Sequence, residues 1–221
     1  MRACEGSTPF TRGSLYARPA VRHLALLLLL PLSACVTVPK QRARAAVVLP
    51  PSIWPNDTMI HWYDVDGDTE AELRAALDAR GPEDTDGKRH DAYTAWHVTW
   101  RFPFSQSEAG CSTGPVSTAV HINVTLPRWR GPADESDPLL RRWRRYLDAL
   151  KEHESGHRET GFRAATDITE TLPELPPKPT CEEAEEAANT TAREVLERYR
   201  LRDTEYDGET RHGATQGAVF P

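Results

Sequence analysis

The chain reads as an α+β domain, and three observations carry that reading. Three early segments alternate apolar and polar residues with a period of two. A later segment of about 35 residues keeps an apolar spacing of three and four instead. A second helical pattern follows it, after a Pro-rich break. Strands gathered early and helices gathered late predict a small antiparallel or mixed sheet packed on a long helix and a second, C-terminal helix.

Ahead of that domain, residues 1–34 read as a signal segment that is removed. Arg22 and His23 precede the run Leu24 to Leu32, which is too short for a permanent membrane span. The sequence Leu32-Ser33-Ala34-Cys35 resembles the lipobox of bacterial lipoproteins. That resemblance implies cleavage before Cys35 and lipidation of its thiol, with Val36 favouring the outer membrane of the cell envelope. Residues 35–57, with Pro39, Pro50, Pro51 and Pro55, read as a tether. This leaves one folded domain over 58–221, linked to the membrane by the lipid alone. A net charge of −6 with both signs scattered argues against nucleic acid as a partner.

Within the domain, Met59 to Val65 reads as a first strand and Gly67 as a turn. Thr69 and Glu72 form a capping-box pattern that opens a helix through about Arg80. The acidic run Asp64 to Asp68 superficially matches a calcium loop, but Thr69 and Ala75 occupy its glycine and closing-glutamate positions. Tyr93 to Phe102 alternates as a half-buried strand, and Val116 to Leu126 does so more clearly. His121 falls on the polar parity of that last strand, where it reads as solvated. Cys4 leaves with the signal and Cys35 takes the lipid. Cys111 and Cys181 therefore remain as a pair expected to form one disulfide in an oxidising compartment.

The long helix is bounded by Asp137 as N-cap, Pro138 at its first position and Pro173 beyond its last turn. Leu139, Trp143, Tyr146, Leu150, Ile168 and Leu172 mark its apolar stripe, and His153 and His157 fall on or beside it. His153-Glu154-Ser155-Gly156-His157 spells H-E-x-x-H. Two imidazoles one helical turn apart can grip one Zn²⁺, and the glutamate between them can take a proton from an activated water. Inward-pointing histidines beside a glutamate are costly without such a partner. A catalytic zinc needs a third protein ligand. Thr160 and Arg163 stand where a metzincin would have glycine and histidine, so that class is excluded. His212, in a polar segment after the last helix, is the favoured third ligand. Glu185 or Glu186 on the later helix, about 181–200, and Asp207 are alternatives. Tyr206 is a candidate oxyanion donor.

From Tyr63 to Gly217 the chain resembles a bacterial secreted family of unknown function, family 922 among such domains, placed with the zincin-like peptidases. The match includes Tyr63-x-Val65-x-Gly67, Gly81-Pro82, Ala95-Trp96, Leu126-Pro127-x-Trp129 and Trp143-x-x-Tyr146. It continues through H-E-x-x-H and Cys181 to Tyr206-Asp207-x-x-Thr210-x-His212-Gly213. The resemblance implies a metallopeptidase-like site. The expected activity is zinc-dependent hydrolysis of protein or peptide in the envelope, with the strand end near Leu126 pairing with an extended substrate. The alternatives are a zinc-binding envelope-assembly lipoprotein without turnover, and a hydrolase of peptidoglycan stem peptides.

Overall fold

In the computed structural model, which describes residues 58–221, the chain runs β1 (Thr58–Val65), α1 (Glu70–Arg80), β2 (Tyr93–Arg101), β3 (Phe104–Ser107), β4 (Gly110–Thr113), β5 (Ser117–Trp129), α2 (Pro138–Thr171) and α3 (Cys181–Thr210). The expected signal segment, Cys35 and the tether lie outside the described residues. Among the described residues no helix is long and apolar enough to cross a membrane.

Alternation becomes pairing in a mixed three-stranded sheet of order β1-β5-β2, with β5 parallel to β1 and antiparallel to β2. The α+β expectation holds. One expectation does not. Leu126 pairs with Trp62 of β1 on one side, and although β2 stops short of it on the other, Leu126 and Pro127 are buried, so that end of β5 presents no exposed edge to a substrate. Pro127 is tolerated inside the strand because β2 stops at Tyr93, opposite Thr125, leaving the proline with one ladder only.

Each helix begins as the local chemistry dictates. Thr69 Oγ1 accepts from Glu72 N while the Glu72 carboxylate accepts from Thr69 N, which completes the capping box of α1. Asp137 accepts from Leu139 N and Leu140 N to start α2, and Thr180 with Glu183 repeats the box at α3. Successive contacts between α2 and α3 run in opposite directions: Asp167 pairs with Arg198, and His157 with Asp203. The two helices thus form an antiparallel hairpin. Cys111 and Cys181 are disulfide-bonded, joining β4 to the first turn of α3.

The core has two parts strung along α2. Leu140, Trp143, Tyr146 and Leu150 pack with Val65, Leu73, Ile122, Val124 and Leu126. Ala164, Ala165, Ile168 and Leu172 pack with Val98, Ala188, Ala192 and Val195. Small residues on both helices in the second part let α2 and α3 approach closely. Between the two parts lies one polar turn of α2, and it carries the motif.

Candidate metal centre

His153, Glu154 and His157 are all buried, at 3%, 2% and 6% exposure. The Nε2 atoms of His153 and His157 lie 3.2 Å apart, and Asp207 Oδ1 is 3.2 Å from each. Three ligands at about 2.0–2.2 Å from a tetrahedral ion sit about 3.3–3.6 Å from one another. The donor atoms therefore form one face of such a tetrahedron, and His153, His157 and Asp207 fit a metal ion.

The other nitrogen of each ring is fixed from behind. His157 Nδ1 lies 3.0 Å from Asp203 Oδ1, and His153 Nδ1 lies 3.0 Å from Gln216 Oε1. Holding a metal, each imidazole would carry its proton on Nδ1 and turn its Nε2 lone pair toward the cluster. Gln216 also donates through Nε2 to Tyr206 Oη, and Tyr206 donates to the carbonyl of His153. This circuit locks the first histidine to the chain beyond α3. Two glycines make it sterically possible. A Cβ at Gly156 would meet the Tyr206 ring at 2.4 Å; one at Gly213, where φ is +81°, would meet the His153 ring at 2.9 Å.

The electrostatics are those of a tight acid–base cluster. Burial pushes Asp207 up, but its hydrogen bonds to His153 and His157 prevail and hold it far below the usual carboxylate range. Burial pushes His157 down, yet Asp203 and Asp207 outweigh it and raise the imidazole to about 10. Glu154 is raised, chiefly by burial, although Thr94 donates to its Oε2 at 2.6 Å. A cleft of about 850 Å³ opens over the cluster, walled by β2, the turn over 84–91 and the last turns of α3.

Several sequence expectations change here. The helix predicted to end near 200 runs on to Thr210, so Tyr206 and Asp207 are helical rather than part of a loop. Asp207 consequently projects between the motif histidines, and it, rather than His212, completes the group that could hold a metal. His212 lies beside it, its Nδ1 3.3 Å from Asp207 Oδ1, and its ring is close to half exposed. Lys88 Nζ, which can only donate, lies 3.2 Å from His212 Nε2. The neutral ring must then carry its proton on Nδ1, toward Asp207. Glu185 and Glu186 are exposed and stand more than five turns of α3 from Asp207, on the order of 30 Å along the axis, so neither reaches the site. Tyr206 stacks on His153 at 5.1 Å and spends its hydroxyl on the α2 backbone. It supports the first histidine and does not line the cleft, which removes it as an oxyanion donor. His121 is exposed, as expected.

Asp203, Gln216 and Thr94 were missed. Asp203 and Asp207 repeat the one-turn spacing of the histidines, and a longer α3 would have put both on the inner face. Gln216 gives no sequence signal, since it arrives through three successive left-handed residues, Arg211, His212 and Gly213.

No curated protein and no solved structure matches the chain. A family model does: the one described as "Bacterial protein of unknown function (DUF922)" matches residues 60–213, from β1 to the glycine beneath His153. That span includes every residue of the donor triangle, and the chain belongs to this family.

Proposed function

We propose that the protein is a zincin-type, zinc-dependent metallopeptidase. In this reading it is a lipoprotein anchored through Cys35 in the bacterial cell envelope, facing the periplasm, where it hydrolyses protein or peptide substrates. The observation that carries the reading is the triangle of 3.2 Å contacts among His153, His157 and Asp207, with Glu154 buried beside it.

Bound there, zinc would supply an activated water and a Lewis acid for the scissile carbonyl. The three ligand side chains hold it, and Asp203 and Gln216 keep both rings in the required tautomer. Glu154 accepts a proton at its carboxylate and returns it to the leaving amine. Thr94 occupies Oε2 and leaves Oε1 for that exchange. The upward push of burial moves this carboxylate's proton affinity toward the working range of a general base. Edge strand β2, whose residues Tyr93 to Trp96 line the cleft, is suited to pairing with an extended peptide. A site with three protein ligands under an open cleft favours turnover over a closed structural centre.

The test has two steps. Elemental analysis of protein purified without added metal should give near one zinc per chain. Glu154→Gln should keep that zinc and lose hydrolysis of a peptide library by a factor of at least ~100. A folded protein without metal, or a variant with retained turnover, overturns the assignment.

A further inference from the structure

The turn between α1 and β2 is built more carefully than a solvent loop requires. Asp84 accepts from the backbone N–H groups of Asp86 and Lys88 and lies 2.7 Å from His90 Nε2. Its own N–H donates to the carbonyl of Lys88, and His90 N donates to the carbonyl of Pro82. Below the turn, Arg74 forms a bidentate pair with Asp91, which also accepts from Tyr146 Oη at 2.7 Å. The backbone of Lys88 is thus fixed on both sides, and its side chain is delivered into the cleft.

The other cations lining that cleft are already committed. Arg89 pairs with Glu83 and donates to the carbonyl of Gly81, while Arg200 lies 3.5 Å from Glu197. Lys88 has no carboxylate within 4.0 Å among the described residues; its partner is the Nε2 of His212. That bond uses one of its three donors and leaves two for other acceptors at the cleft that Lys88 lines. His212 is in turn held by a left-handed backbone, φ +51°, a conformation a non-glycine residue keeps only when its surroundings impose it. The ammonium therefore stands one imidazole away from Asp207. That offset matches one to two residues of an extended peptide, at roughly 3.3–3.6 Å per residue.

We propose that Lys88, presented by the turn over 82–90 and held by His212, binds a substrate carboxylate one or two residues from the scissile bond. The inference rests on the peptidase reading for the position of that bond, but not for the existence of the anion subsite. The carboxylate is either the free end of a peptide or an acidic side chain within it, and both present the same pair of acceptor oxygens to a lysine.

The experiment uses the full chain carrying Glu154→Gln, loaded with zinc, and three N-acetylated alanine tetrapeptides. One ends in a free carboxylate, one in an amide, and one in an amide with a single glutamate inside. Calorimetric titration should show at least one carboxylate peptide binding ~10-fold tighter than the neutral amide. The peptide that gains identifies the source of the carboxylate. In the same background Lys88→Met should bring the ratio to about one, and Lys88→Arg should restore most of it. Equal binding of all three peptides, no binding of any, or a ratio that survives Lys88→Met overturns the subsite. Zinc content and turnover of the unsubstituted chain decide the peptidase reading separately. A protein without turnover that keeps the ratio retains the subsite and loses the peptidase.

Discussion

The Oδ1 of Asp203 lies 3.0 Å from Nδ1 of His157, on the side of the ring turned away from the donor triangle. The second oxygen of Asp203 accepts from Trp96 Nε1 at 2.9 Å, so the carboxylate cannot swing away. Asp203→Ala should therefore weaken zinc binding roughly 10–100-fold while leaving the chain folded. Competition against a calibrated chelator measures this, and an unchanged affinity would remove Asp203 from the support of the metal.

Asp207→Ala and His212→Ala separate the two candidate third ligands. The geometry predicts that the first abolishes stoichiometric zinc and the second retains it. The reverse result in elemental analysis would reinstate His212.

How far the sequence shows this site depends on which forces set each part. Helix α2 is fully legible, because its cap, its apolar stripe and its proline stop are all local. The expected disulfide is legible too, from cysteine parity once Cys4 and Cys35 are set aside as signal and lipidation residues. The last three turns of α3 are not. Gly208 and a run of polar residues there read locally as a loop, and the helix continues because Asp203, Tyr206 and Asp207 all find partners on α2. The β3–β4 hairpin was missed for a similar reason. Its strands are only four residues each, those of β3 are exposed, and its position depends on Cys111 bonding to the distant backbone of Lys178. Residues whose role comes from such long-range contacts carry no local signature.

Metal-free protein should lose stability as pH rises from about 6.5 to about 10. His157 is raised in the folded state, so the folded chain keeps a proton that the unfolded chain gives up at about 6.5. The contribution is complete below the unfolded value and gone above about 10. Its size is at most on the order of 5 kcal/mol. Asp207 acts at the other end of the scale: its lowered value gives stability above the ordinary carboxylate range that fades as pH falls. Thermal melts in chelator across pH 6–10 check the first effect. A flat profile would contradict it, and His157→Gln should flatten the native one.

Gly156→Ala is expected to damage both fold and site. Its new methyl would occupy the position of the Tyr206 ring, so that ring must move and break its bonds to Gln216 and the His153 carbonyl. A cost of about 1–3 kcal/mol is typical of such overpacking, accompanied here by weaker zinc binding. Denaturant unfolding with parallel metal analysis tests both. Wild-type stability would show that Tyr206 has room to retreat.

The disulfide closes a loop whose ends are 70 residues apart, and that loop contains β5 and all of α2. Reduction, or Cys111→Ser with Cys181→Ser, should lower stability by about 3–4 kcal/mol. Unfolding in the presence and absence of reductant reads the difference directly.

Helix α2 resembles a beam clamped at both ends, with its working section at mid-span. Neither clamp uses the metal ligands: one is an aromatic and aliphatic core under the sheet, the other an alanine-lined seam with α3. Emptying the site would thus leave the beam supported. On the peptidase reading proposed above, metal supply acts as a throttle on activity rather than as a condition for survival of the chain. The polar turn at mid-span is also free to change its chemistry through mutation without the anchorage on either side being rebuilt.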